Sequence, residues 1–163
     1  MKILLTTLNS KYVHANLALK YLYTVVAGEY SDVEAREFTI NNDPHYVYGE
    51  ILRGGYDMVC FSCYIWNIEQ IRKLAADLKM ACPELLLTAG GPEASSRGPA
   101  FARENPWVDF VLRGEGEYPF YRLCQVLHEP QRALETVPGL IYRQDGKIYV
   151  NAEIEPIDFN AVP

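Results

Sequence analysis

ELLLTAGGPEAS, residues 84–95, sets three leucines two residues before a doubled glycine. The run 85–87 shows no polar alternation, which is the pattern of a strand buried on both faces in a parallel sheet. The glycine pair permits backbone at positive φ and lets another body come very close. That body is either a neighbouring helix, in a tight strand-to-helix turn, or a ligand.

Outward from this stretch, strand-like and helix-like segments alternate. KILLTT (2–7) reads as a first central strand, and 16–27 as a helix carrying Leu17, Leu19, Leu22, Val25 and Val26 before Gly28. VEAREFTI (33–40) is a second strand, 46–53 a short helix stopped by Gly54-Gly55, and DMVCFS (57–62) a third strand. Ile68, Ile71, Leu74, Ala75 and Leu78 mark a helix that ends near Pro83. ELLLTAG is the fourth strand, 100–104 a short helix, VDFVLRG (108–114) the fifth strand and 117–127 the last helix. The pattern predicts an α/β fold: a flavodoxin-like (Rossmann-like), doubly wound, five-stranded parallel sheet in the order 2-1-3-4-5 over residues 1–135. GLIYRQDGKIYV (139–150) carries Asp145-Gly146 between two strand-like runs, which predicts a β-hairpin appendage over 136–152. Residues 153–163 read as a linker.

Composition narrows the function. A chain of 163 residues with 49% hydrophobic content suits one domain with a sizeable core. The net charge of −6 and the scattered basic residues argue against nucleic acid as a partner. No apolar run reaches the roughly 18 residues of a membrane span, and MKILLTTLNSKY turns polar too early for a signal peptide. The expected location is cytoplasmic. Cys60, Cys63, Cys82 and Cys124 read as reduced thiols. Cys60 and Cys63 form a CxxC at a strand end, where residues three apart point to opposite faces, so neither a redox nor a zinc role is expected. No GxxxxGK[ST] occurs, and Gly114-Glu115-Gly116 lacks a third glycine at Pro119 while its glutamate would repel a pyrophosphate. There is no GxSxG turn, and His14, His45 and His128 have no evident Ser or Cys partner. No self-sufficient catalytic set emerges.

In a doubly wound sheet, ligands bind beyond the carboxyl ends of the strands near the switch point. The segments that follow strands 1, 3, 4 and 5 are 6–16, 62–67, 90–98 and 113–120, two of them aromatic and two rich in glycine. FSCYIWN (61–67), TAGGPEAS (88–95) and VDFVLRGEGEYPF (108–120), in this order and spacing, resemble the N-terminal cobalamin (B12)-binding domain of B12-dependent radical SAM proteins. The resemblance covers nearly the whole chain. It implies a flavodoxin-like domain that precedes a radical SAM domain of the same polypeptide, with a [4Fe-4S] cluster, S-adenosylmethionine and a methyltransferase reaction. This chain contains no CxxxCxxC, and IEPIDFNAVP (154–163) is similar to the segment that joins the two domains. The chain alone is therefore expected to bind rather than to catalyse.

The resemblance also implies a set of cofactor-binding residues. Gly90 and Gly91, with Pro92 and Glu93, would clear a channel for the nucleotide tail or serve a tight strand-to-helix turn. Ser62, followed by Cys63, would offer a hydroxyl to the benzimidazole nitrogen or serve a plain turn. Tyr64, Ile65 and Trp66 would lie beneath the flat corrin face or pack in the core. Glu115, between Gly114 and Gly116, and Glu117 would accept hydrogen bonds from corrin amides or sit at a favoured helix N-terminus. Thr7, Asn9, Ser10 and Lys11 would reach the ring from the first loop or remain solvated. The chain lacks the DxHxxG whose histidine coordinates cobalt in better-known cobalamin proteins. No metal ligand is expected, His14 being the weak candidate, and the cobalamin is expected base-off as a methyl carrier. A regulatory or interaction domain without corrin, and a flavin or nucleotide site on the same rim, stay open at this point.

Overall fold

A computed structural model describes residues 1–11, 15–131 and 133–152. Five strands run parallel: β1 (Ile3–Asn9), β2 (Val33–Thr39), β3 (Met58–Ser62), β4 (Leu86–Gly90) and β5 (Phe110–Leu112). Their spatial order is β2-β1-β3-β4-β5, as the alternation of elements predicts. All five residues of β3 and all seven of β1 are buried, because helices cover both faces of the sheet. The helices are α1 (Leu17–Val26), α2 (Pro44–Gly54), α3 (Ile68–Ala81), α4 (Pro92–Glu104) and α5 (Glu117–His128).

The expected five-stranded sheet with a separate hairpin needs correction. β6 (Leu140–Gln144) and β7 (Lys147–Val150) pair antiparallel onto β5 and complete one seven-stranded sheet. Leu140, Ile141 and Tyr142 are buried and join the cores on the two sides of the sheet. A free appendage would have left this surface in water and β5 as a bare edge. The turn itself follows its sequence: Asp145 (φ 51°) and Gly146 (φ 73°) are both left-handed, as a type I′ hairpin turn demands.

A second difference concerns α4. The expected short helix at 100–104 begins eight residues earlier, at Pro92, where the fixed ring angle suits the first helical position. Gly98 (φ 45°, ψ −116°) interrupts it and Pro99 restarts it, so the breakers mark a kink and not a loop. Residues 153–163, read as a linker, and His14 lie outside the described residues.

The sheet separates two apolar cores. One holds Leu4, Val59, Phe61, Leu87 and Ala89 with α2, α3 and α4; the other holds Ile3, Leu5, Cys60 and Leu112 with α1 and α5. Cys60 and Cys63 fall in opposite cores, as their spacing requires, and are free thiols. Burial pushes Cys60 well above the ordinary thiol range and Cys63 up to about 12, which removes both from thiolate chemistry. No helix among the described residues is long and apolar enough to cross a membrane.

Candidate functional site

Period-two alternation decides which strand residues face α1 and α5. Cys60 pairs with Thr88 and Ser62 pairs with Gly90, so these four share the face toward those helices. Above them α1 contributes Ala18, Leu19 and Leu22, and α5 contributes Glu117 and Phe120. Asn16 starts α1: its Oδ1 accepts from the Leu19 amide at 3.2 Å and its Nδ2 donates to Tyr64 Oη at 3.3 Å. Between sheet and helices remains a cavity of about 170 Å³ at the carboxyl edge of β3, β4 and β5. Pockets for drug-sized ligands run to about 300–1,000 Å³. This one therefore takes a single ring system, and anything larger must stand outside on the rim.

The two glycines of the opening stretch have different reasons. A Cβ on Gly91 (φ 84°, ψ 175°) would lie 2.8 Å from Cys63 O and 3.0 Å from Cys63 N. The body that comes close to Gly91 is thus the chain itself, and the backbone geometry is open to glycine alone. A Cβ on Gly90 would meet nothing nearer than Leu112 Cβ at 4.0 Å. Its missing side chain is what leaves the cavity unfilled.

The polar groups divide in the same way. Thr88 is 1% exposed, and its Oγ1 has no hydrogen-bond partner among the described residues beyond the thiol of Cys60 across the strand pair. Ser62 lines the same cavity. Thr7, by contrast, is committed to the scaffold: its hydroxyl donates to Ser62 O at 2.9 Å and accepts from Asn67 Nδ2 at 3.1 Å. The wall is apolar on most sides, with Ser62 and Thr88 among the hydroxyl-bearing residues of its lining.

The structure brings Ser62, Tyr64, Gly90, Gly91, Pro92, Gly114 and Gly116 together around the cavity, with Glu117 beside them. Tyr64 and Trp66 stack at 4.5 Å with 9° between their planes, and Ile65 and Trp66 are exposed beside the mouth (78% and 47%). Cys63 and Glu93 do not line the cavity; Cys63 is fully buried in the opposite core, and the Glu93 amide donates to its carbonyl at 3.2 Å. Glu115 is exposed and away from the lining. Asn9 is buried and donates to Glu37 Oε2, while Ser10 is half-buried and Lys11 exposed at the start of the first loop. Neither described histidine reaches the cavity: His45 lines a groove between α2 and α3, and His128 stacks on Tyr30 at 4.6 Å. That groove is larger, about 610 Å³, yet it opens on the other face of the sheet and neither glycine-rich loop touches it.

Four residues of the site are missed by sequence reasoning. Asn67 is fully buried; its Oδ1 accepts from the Tyr64 amide at 2.8 Å, and its Nδ2 donates to Thr7 Oγ1, Leu8 O and Ser62 O, each at 3.1 Å. It ties the β3–α3 turn to β1. Glu37 on β2 accepts from Asn9 Nδ2 and from the Asn16 amide at 2.9 Å, which fixes the start of α1. Asn16 and Thr88 complete the set. An asparagine just before an apolar helical run is visible in sequence as a cap. The partners that matter for the other three are distant in sequence: Asn67 reaches Thr7 and Leu8, 60 and 59 positions away, Glu37 reaches Asn9 and Asn16, 28 and 21 away, and Thr88 faces Cys60 on the neighbouring strand.

Known proteins locate this geometry. Residues 3–124 match the B12 binding domain family. The chain is 34% identical over 88 residues to a cobalamin-dependent radical SAM methyltransferase, TokK of Streptomyces tokunonensis, a match that covers 54% of the chain and 13% of TokK. It is 39% identical over 87 residues to the 2-(S-pantetheinyl)-carbapenam-3-carboxylate methyltransferase of Streptantibioticus cattleyicolor, covering 53% of the chain and 13% of that enzyme. Among solved structures, the radical S-adenosylmethionine methyltransferase TsrM of Kitasatospora setae superposes with a TM-score of 0.76 at 18% identity, over 92% of the chain and 30% of TsrM. The matched regions thus span under a third of these larger proteins. With a matching stretch that runs from the first strand to the last helix and contains every wall of the cavity, the chain belongs to the B12 binding domain family.

Proposed function

We propose that the chain is the cobalamin-binding domain of a radical SAM methyltransferase, holding cobalamin base-off as a methyl carrier. The observation that carries this reading is the cavity under α1 and α5, kept open by Gly90 and lined by Ser62 and Thr88. It takes the base of the nucleotide tail, while the corrin stands on the rim beside the Tyr64–Trp66 stack, whose flat apolar faces suit a macrocycle. Asn16 and Asn67 hold Tyr64 from its hydroxyl and its amide and so set the orientation of that stack. Of the three histidines, the two among the described residues, His45 and His128, are not near the cavity. When bound, the cobalt supplies a carrier for a methyl group, and the protein supplies binding and orientation. The methyl source, S-adenosylmethionine, and a [4Fe-4S] cluster belong to a radical SAM domain that we place after residues 153–163 of the same polypeptide.

The test is direct. Incubation with hydroxocobalamin followed by desalting leaves corrin bands in the visible spectrum of the protein fraction. Electron paramagnetic resonance of the reduced complex then lacks the nitrogen splitting of an axial base. A colourless protein fraction overturns the reading, and retained flavin bands after incubation with FMN replace it.

A further inference from the structure

Strand direction brings the end of the described chain to the cofactor edge of the sheet. β6 starts level with the carboxyl end of β5, Leu140 facing Leu112, and β7 runs back antiparallel to β6. β7 therefore points the same way as the five parallel strands, and residues 151–152 lie at the carboxyl edge that carries the cavity. Arg113 stands between the two. It follows the last residue of β5 and precedes Gly114 and Gly116, both in the cavity wall. Its Nε donates to Gly139 O at 3.4 Å and its Nη2 to Asn151 O at 2.7 Å. Its stem runs past the kink of α4, where a Cβ added to Gly98 would lie 3.4 Å from Arg113 Cδ and 3.5 Å from Ile141 Cδ1. The next residue is tied as well, since the Gly114 amide donates to Ser95 Oγ at 2.8 Å. Asn151 anchors the other end: its amide donates to Leu140 O at 2.9 Å, and its Nδ2 donates to Leu134 O and Val137 O, each at 2.7 Å. Beside it the Gly139 amide donates to Ala152 O at 2.7 Å.

We propose that Arg113 is a positioning residue that couples the cofactor loop to the outgoing chain: a corrinoid held against Gly114 and Gly116 firms the attachment of residues 151–152 and so fixes the point from which the next domain departs. The inference rests on the cobalamin reading above. β5 pairs with β4 only through Phe110 and Val111, whereas Leu112 pairs with Leu140. The loop that follows Leu112 thus takes its position from the hairpin side and not from the parallel ladder. An added Cβ on Gly114 (φ 69°) would meet nothing within 4 Å, so the cavity side of the loop is unpacked until a ligand covers it. A ligand there makes contacts that exist only with the loop in place, which is what a shift between two states requires. Arginine suits the link because its planar guanidinium presents several donors in a rigid fork, and one side chain can then hold carbonyls at the start of β6 and the end of β7 together. A lysine ammonium is a point charge on a flexible stem and cannot fix both.

Hydrogen exchange read by mass spectrometry on the 163-residue chain, with and without saturating hydroxocobalamin, measures the coupling in residues 139–152. Cobalamin should slow exchange there at least about fivefold in the parent. The slowing should vanish in Arg113→Met, which keeps the stem and loses the donors, and in Arg113→Lys, which keeps the charge. An arginine that only supports the fold gives a different result: exchange in 139–152 rises in the variants by the same factor with and without cobalamin, the slowing persists, and the inference falls. The reciprocal measurement starts from the hairpin. Asn151→Ala releases Leu134 O and Val137 O without touching the cavity wall, and it should weaken hydroxocobalamin by a like factor, because coupling between two sites runs equally in both directions. Unchanged affinity in Asn151→Ala overturns the coupling, and does so even where the Arg113 variants fail to fold. A parent that binds cobalamin with no slowing in 139–152 overturns the inference while the cofactor reading stands. A parent that binds none overturns both.

Discussion

Replacing the two neighbouring glycines separates cofactor binding from folding. Gly90→Leu puts a side chain into the cavity of about 170 Å³, where the first added carbon lies an ordinary 4.0 Å from Leu112 Cβ. Burying a leucine side chain contributes about 1.5–3 kcal/mol, less about 0.5–1 kcal/mol of rotamer entropy, and removing glycine from a strand adds about 0.5–1 kcal/mol. At roughly 2–4 °C per kcal/mol for a chain of this size, the thermal midpoint rises by about 2–14 °C. Cobalamin retention after desalting is lost at the same time. Gly91→Ala behaves in the opposite way. Its backbone at φ 84° and ψ 175° costs a side-chain-bearing residue about 1–3 kcal/mol, and the 2.8 Å approach to Cys63 O adds about 1–3 kcal/mol of overpacking. The midpoint falls by roughly 4–24 °C. Differential scanning fluorimetry measures both. A Gly90→Leu protein that retains cobalamin with unchanged affinity, or a Gly91→Ala protein as stable as the parent, refutes the division of roles between the two positions.

Asn67→Ala removes a fully buried amide that joins Tyr64, Thr7, Leu8 and Ser62, and leaves the Tyr64 amide without its acceptor. It should cost about 3–5 kcal/mol in urea unfolding, and a loss below about 1 kcal/mol would show that the β3–α3 turn does not depend on it. The buried thiols predict a pH dependence: burial holds Cys60 well above its unfolded value of 9.0, and Cys63 and Cys124 up to about 12. The unfolded chain releases these protons first, so stability is full below pH 9. Above it, stability falls by about 1.4 kcal/mol per pH unit for each thiol, or roughly 4 kcal/mol for the three. Urea midpoints that stay level from pH 8.5 to 10 contradict this. With Cys60, Cys63 and Cys124 buried, Ellman's reagent should label Cys82 alone in the native protein and all four thiols after unfolding. Two or more thiols reacting at once under native conditions count against the core described here.

Much of the fold is legible in sequence because its determinants are local and periodic. The apolar runs of β3 and β4 announce strands covered on both sides, and the spacing of Cys60 and Cys63 places them on opposite faces before any coordinates. The failures have a common cause in long-range partners. That β6 joins β5 depends on pairing Leu140 with Leu112 across 28 positions, which no local pattern encodes. The start of α4 is hidden because Gly98-Pro99 reads as a break, whereas the structure uses it as a kink inside a continuing helix. At the site, the glycine-rich and aromatic loops converge as expected, but local sequence cannot say which glycine serves the turn and which the cavity. Only the position of the Cys63 backbone decides that.

The cavity carries a stability cost that a bound ligand would offset. Three buried polar atoms lack oxygen or nitrogen partners among the described residues: Arg72 Nε, Arg143 Nε and Thr88 Oγ1. The two guanidinium groups are anchored through their other nitrogens, Arg72 to Glu69 and Arg143 to Ala102 O. Thr88 has a single polar atom whose one partner is the Cys60 thiol, a weak acceptor, so its burial costs the fold up to about 1–3 kcal/mol. Gly90 adds a further loss of about 0.5–1 kcal/mol, because a strand glycine gives up more chain entropy than alanine. Both deficits fall on one cavity, where a valine at the first position and an alanine at the second would remove them. A ligand present at a hundredfold its dissociation constant returns about 2.7 kcal/mol to the folded state. That gain is of the same size as the deficit, so bound cobalamin should raise the thermal midpoint of the parent chain by about as much as Gly90→Leu does without it.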